Sequence, residues 1–192
     1  MSPYHHGNLR EALIEAGIKY MSENGEEGLS LRRISADCGV SHAAAYSHFS
    51  DKNALLAAMR DHVTRQFIES MDQTASQYHG DPNLVVHLGR SYVEFFVEHP
   101  HYYLFLLYRM SAKVDLNNIN FTGNYPPFEH FKRTALVYFE NEGVPKDKYL
   151  PALVSMWAMV QGLASIAAMD GVLFDGDWSA LTNEILTGNI CM

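Results

Sequence analysis

The chain has 192 residues, enough for one domain of ordinary size or two small ones, which excludes a large multidomain assembly. Hydrophobic residues make up 47% and charged residues 19%, so there is apolar material for a packed core and too little charge for a disordered chain. The net charge of −8 is unevenly held: residues 1–65 carry seven basic against eight acidic side chains, and residues 66–192 carry seven against fourteen. An acidic surface repels phosphate, so any nucleic-acid contact belongs to the amino-terminal third.

Cys38 and Cys191 have no partners at disulfide, zinc or redox spacing, which implies a reducing, cytoplasmic setting. Residues 1–10 hold no apolar stretch of signal-peptide length, so export is not expected. His87, His99, His101 and His130 lack the i, i+4 pairing of a zinc site, and no metal or cofactor is expected. No nucleophile–base–acid order, glycine-rich phosphate loop or carboxylate pair stands out, so the chain reads as a non-enzyme.

In chain order, Leu9, Leu13, Ala16, Tyr20 and Met21 recur at helical steps, with Asn8 as cap and Asn24-Gly25 as stop. Ser30 is placed to cap a short helix over 31–38 that buries Leu31, Ile34 and Cys38 and points Arg32 and Arg33 outward. Gly39 ends it, Ser41 caps a two-turn helix from His42 to His48, and Ser50 caps a long helix with Asp51 in its first turn. The apolar face of that long helix is Leu55, Leu56, Met59, Val63, Phe67 and Met71. Further helices are expected at 83–98, from Pro100, and at 127–142, 146–169 and 178–190, with the longest loop between Asp115 and Pro127. No alternating run suggests a strand, and the expected fold is all-α.

Leu150–Met169 is twenty residues without a charge, long enough to cross a bilayer. Its Pro151, Ser155, Gln161, Gly162 and Ser165, and its isolation in the chain, favour a helix buried in a core or subunit interface over a membrane span.

Segment 30–49 has the pattern of a helix-turn-helix. Ser35 is a small contact, Gly39 a turn, and Ile34, Cys38, Val40, Ala45 and Phe49 lock the pair. The second helix then presents Ser41, His42, Ala43, Tyr46, Ser47 and His48 outward, a mixture suited to base edges, thymine methyls and phosphates.

The run LSLRRISADCGVSHAAAYSHFSDKNALLAAM resembles the DNA-binding domain of the TetR family of bacterial transcriptional regulators, and the likeness extends over residues 7–67. The opening YHHGNLREALIEA and the later MWAMVQGLA resemble a subgroup whose carboxy-terminal domain is named for a Trp-His-Gly pattern. Trp157 and Gly162 fit it, whereas Gln161 stands where histidine is expected and Ala45 where proline is frequent. The resemblance implies a three-helix DNA-binding domain joined by a long helix to a helical ligand-binding and dimerisation domain over 68–192. It makes Ser30 and Arg33 phosphate contacts and Ser41, His42, Ala43 and Ala44 base readers, with Tyr46, Ser47, His48 and Lys52 also against DNA. Arg32, Arg33 and Lys52 against Asp37 and Asp51 leave only a small positive balance, so modest affinity per half-site is expected, raised by dimeric binding to a palindromic double-stranded operator. His5 and His6 invite a reading as metal ligands, but paired exposed histidines are commonly neither functional nor structural; the alternative is an arm that lies against the DNA.

The function so implied is that of a ligand-responsive repressor acting as a homodimer in the cytoplasm. Phe95, Tyr102, Phe105 and Tyr108, with Phe128, Phe131, Met156 and Trp157, are expected to line an apolar site for a small-molecule effector, oriented by Gln161. Aromatic and methionine residues at helical spacing are more often plain core than a ligand site. Ala158, Gly162 and Ser165, with Leu181 and Ile185, are expected at the subunit interface, where the last two long helices pair as a four-helix bundle. The competing reading is an all-helical small-molecule-binding protein or enzyme in which the amino-terminal hairpin is structural.

Overall fold

The computed structural model describes residues 9–109, 115–116, 126–169 and 171–190. Within them every regular element is helical: α1 (Leu9–Asn24), α2 (Leu31–Asp37), α3 (His42–Tyr46), α4 (Lys52–Gln77), α5 (Leu84–Glu98), α6 (Pro100–Arg109), α7 (Pro126–Asn141), α8 (Tyr149–Ala167) and α9 (Trp178–Ile190), with a 3-10 turn, Lys146–Lys148, leading into α8. The all-α expectation holds, and each expected helix is present with ends moved by up to three residues. The expected Asn8 cap, His5, His6, Cys191 and most of the loop between Asp115 and Pro127 lie outside the described residues.

The chain forms two compact units, one of Met1–Val63 with Leu104–Met110 and the other of Thr64–Tyr103 with Ser111–Met192. In the first unit, α1 buries Leu13, Ile14, Ile18 and Met21, the i, i+1, i+5, i+8 stripe that a 3.6-residue period brings to one face. Gly17 lies on that face because α4 comes close: a Cβ there would stand 2.9 Å from Met59 Sδ. Leu55, Met59 and Val63 of α4 are fully buried, as the periodicity predicts. A partly buried pair joins the same two helices, His62 Nε2 lying 2.6 Å from Glu15 Oε1.

The second unit is built around α5, which packs on α7, α8 and α9. Its core begins with Phe67 of α4, whose ring centroid lies 5.0–5.1 Å from those of Tyr92, Phe95 and Phe96. Gly89 lets α5 and α9 approach, since a Cβ there would sit 2.6 Å from Leu186 Cδ1. A neighbouring cluster joins Val85, Phe128, Ala135, Phe139, Leu153 and Met156 across α5, α7 and α8.

The uncharged helix α8 buries one stripe only, Leu153, Met156, Val160 and Ala164. Lys146–Ala167 is long and apolar enough to cross a membrane, and 28% of its most apolar 18-residue stretch is buried. Its contacts with α5, α7 and α9 are those of a helix in a packed bundle.

Candidate nucleic-acid interface

Two serines set the local geometry. Ser30 Oγ accepts from the Arg33 backbone N–H at 3.1 Å and starts α2, which buries Leu31, Ile34 and Ser35 and leaves Arg32 and Arg33 exposed. Ser35 is fully buried and donates its hydroxyl to the Leu31 carbonyl at 2.7 Å, so the small residue at the helix contact leaves no proton orphaned. Gly39 takes φ +69°, where an L side chain costs roughly 1–2 kcal/mol, and the Val40 N–H closes the turn on the Ser35 carbonyl at 2.9 Å. Ser41 then repeats the cap, its Oγ accepting from the Ala44 N–H at 3.2 Å. Ala45, fully buried, and Phe49, 3% exposed, fasten α3 from beneath.

With Ala45 inward, the rest of α3 faces out. Ser41, His42, Ala43, Tyr46, Ser47 and His48 are all exposed, and Ala44 is half-buried. Tyr46 is 56% exposed, a large aromatic ring left open to solvent. Among the described residues, the side chains of His42, Tyr46 and His48 make no hydrogen bond or ion pair, so their donors and acceptors remain available. Ser47 donates to the Ala44 carbonyl at 2.7 Å, which stiffens the end of α3. The result is a short helix with a small, mixed polar and apolar outer face on a rigid support.

Three cations around this face, Arg33, Lys52 and Arg10, are already engaged. Arg33 Nε lies 3.1 Å from Asp37 Oδ2, with the guanidinium 5.5 Å from the Tyr20 ring centroid. Lys52 Nζ lies 3.1 Å from Glu26 Oε1 and 3.5 Å from the Glu26 carbonyl. Arg10 sits over the Phe49 ring at 5.3 Å. Sequence reasoning placed Arg33 and Lys52 but missed Arg10, Tyr20 and Glu26. The Lys52–Glu26 pair spans 26 positions, far beyond any helical spacing, and is made by the α1–α2 turn folding back on the start of α4. A smaller correction concerns the cap of α4: Ser50 was expected, whereas Asp51 Oδ1 accepts from the Ala54 N–H at 2.8 Å.

The expected effector-site residues fall into separate groups. Phe128, Phe131, Met156 and Trp157 come together in the α7–α8 cluster, with Phe131 and Trp157 half-buried. Phe95 and Tyr102 belong to the ring cluster around Phe67, Phe96 and His99. Phe105 is buried and belongs to the first unit, and the side chain of Tyr108 lies outside the described residues. Gln161 accepts from the Tyr92 hydroxyl at 2.7 Å through Oε1 and from the Tyr103 hydroxyl at 3.2 Å through its backbone carbonyl. A cavity of about 660 Å³ opens elsewhere in the second unit, with His79, Asp81, Leu84, Arg133, Val137 and Glu142 in its wall and none of the nine expected residues. A backbone N–H from Asn83 holds the Asp81 carboxyl below its ordinary value, while burial pushes the imidazole of His130, one helical turn before Arg133, down. His87 pairs with Asp81 at 3.3 Å and His130 with Asp72 at 3.4 Å. Of the expected interface residues, Ala158 and Gly162 are exposed and Ser165, Leu181 and Ile185 half-buried.

The amino-terminal helices and the outward α3 define a helix-turn-helix domain of the kind found in transcriptional regulators, carried by an all-helical chain. Residues 13–59 match the family described as "Bacterial regulatory proteins, tetR family", and the amino-terminal domain is a TetR-family domain. The tetracycline repressor protein class C of Escherichia coli is 40% identical over 52 residues, 27% of this chain and 24% of that protein. The chain spans between 24% and 56% of the length of the curated relatives it matches. Solved structures share the fold over nearly the whole chain. The TetR family transcriptional regulator PfmR from Thermus thermophilus superposes with a TM-score of 0.67 at 14% identity, covering 96% of this chain and 94% of that one. A complex of SmeT with triclosan gives 0.63 at 19% identity, covering 93% and 90%.

Proposed function

We propose that the chain is a sequence-specific DNA-binding transcriptional regulator of the cytoplasm, a ligand-responsive repressor that acts as a homodimer on a palindromic operator. The observation that carries this reading is the outer face of α3, exposed from Ser41 to His48 and without internal partners at His42, Tyr46 and His48. A major groove admits a helix of this width, and base edges there are read by hydroxyls, imidazoles and methyl groups of the kinds α3 presents. Ser41, His42, Ala43 and Ala44 read bases. Ser30, Arg33, Tyr46, Ser47, His48 and Lys52 contact the backbone. Replacing Tyr46 with Ala is expected to weaken binding to a selected palindromic duplex about tenfold or more, because a hydrogen bond to a charged acceptor contributes about 1.5–3 kcal/mol. Lys52→Ala is expected to weaken binding alike for all sequences. Fluorescence anisotropy against that duplex checks both; unchanged affinity in two folded variants would favour a helical small-molecule binder in which the hairpin is structural.

The subunit interface is proposed on α8 and α9, at Ala158, Gly162, Ser165, Leu181 and Ile185. The support is the stripe of α8 left uncovered opposite Leu153, Met156, Val160 and Ala164, which holds small residues that allow close helix approach. Apart from its own helix backbone and chain neighbours, no atom of the described residues would lie within 4 Å of a Cβ at Gly162. Gly162→Leu is therefore expected to leave the subunit folded and to shift its mass by light scattering from twice 21.7 kDa toward 21.7 kDa. A dimer that tolerates the leucine would place the interface elsewhere.

The effector is proposed to be a small, largely apolar molecule entering the second unit where Phe131, Trp157 and Gln161 are half-buried, with Phe128 and Met156 behind them and Phe95 and Tyr102 as further apolar residues of the same unit. The SmeT complex with triclosan, a protein of the same fold, supports uptake of such a molecule. The Trp-His-Gly subgroup is proposed on Trp157 and Gly162; Gln161 offers a neutral amide, already bound by Tyr92, in place of a titratable imidazole.

A further inference from the structure

We propose that Glu26 competes with DNA phosphate for Lys52 and so sets the sequence-independent part of the affinity; this rests on the DNA-binding reading above. Glu26 lies in the α1–α2 turn, outside the helix-turn-helix segment, yet it holds Lys52 Nζ with both its carboxylate, at 3.1 Å, and its backbone carbonyl, at 3.5 Å. The turn is fixed in place for that grip. Gly25 and Gly28 take φ +68° and +75° on either side of Glu26 and Glu27, and the Tyr20 hydroxyl donates to the Glu27 carbonyl at 2.9 Å. The Leu29 N–H closes on the Glu26 carbonyl at 3.2 Å.

Lys52 stands at the first position of α4, where a phosphate would also meet helix N–H groups. To make that contact the ammonium must exchange a carboxylate for a phosphate oxygen, so the contact yields less than a free lysine would give. Phosphate contacts carry no sequence information. Weakening one lowers binding to every duplex by a similar factor and leaves base readout by α3 to decide between sites. Glu26 thus tunes the overall affinity through Lys52 rather than by touching DNA, and discrimination between sites stays with α3.

The test compares Glu26→Gln with Glu27→Gln, the adjacent carboxylate that has no ion-pair partner among the described residues. Both variants, with Tyr46→Ala and Lys52→Met, are titrated by anisotropy against a selected palindrome and a scrambled duplex of the same length over a range of salt. Glu26→Gln is expected to tighten both duplexes about threefold to fivefold, the range of an exposed ion pair, and to steepen the salt dependence by about one unit per protomer. In a Lys52→Met background the same substitution should change nothing beyond what Glu27→Gln does. Equal gains from Glu26→Gln and Glu27→Gln, or a full gain without Lys52, would overturn the assignment in favour of a general charge effect. If Tyr46→Ala loses binding while Glu26→Gln leaves it unmoved, only the role of Glu26 falls; if neither matters, the DNA-binding reading falls with it.

Discussion

Phe67→Ala is expected to lower the stability of the chain by about 3–5 kcal/mol, the range for truncating a buried aromatic side chain. The ring is fully buried and meets Tyr92, Phe95 and Phe96 at centroid distances of 5.0–5.1 Å, one of them edge-on at 89°. Alanine removes both the transfer free energy of the ring and the aromatic contacts, and the three neighbours, also in contact with one another, have little freedom to close the void. Urea denaturation followed by circular dichroism measures the loss. A change below about 1.5 kcal/mol would mean that the second unit's core collapses around the missing ring more readily than its packing implies.

The second large effect separates the two sides of α3. Ala45→Glu places a carboxylate at a fully buried position, with the Phe49 ring close in sequence, and is expected to cost at least about 3 kcal/mol and to abolish DNA binding through loss of the α2–α3 pair. Ala43→Glu puts the same carboxylate on the exposed face. It is expected to change stability by less than about 0.5 kcal/mol, yet to lose DNA binding because a negative charge then faces phosphate and base acceptors. The pair of variants therefore distinguishes loss of fold from loss of contact, with denaturation and anisotropy read side by side.

Much of the first unit was legible in the sequence because its signals are local. Ser30 and Ser41 precede their helices, Gly39 sits where the chain must turn back, and the inward positions of α2 and α3 follow from a 3.6-residue period; all of these signals lie within segment 30–49. The Glu26–Lys52 pair was not legible, because it depends on the path of a turn stiffened by two positive-φ glycines. In the second unit the same periodicity identified the helices without saying which aromatic rings would meet. Phe128 and Trp157 came together at 4.6 Å and Phe95 joined a different cluster, an outcome decided by helix packing rather than by spacing along any one helix. The uncharged stretch of α8 shows the remaining limit. Composition said that it avoids water, and the fold shows that a single subunit covers one stripe of it.

The central claim, that the outer face of α3 reads a major groove, is tested most directly by selecting duplexes from a random pool with the wild-type chain and with Ala43→Glu, at equal measured stability. The wild-type chain should enrich an inverted repeat whose half-sites are one helical turn apart, and the variant should enrich none. Recovery of the same repeat by both chains would show that α3 is not the surface that meets DNA.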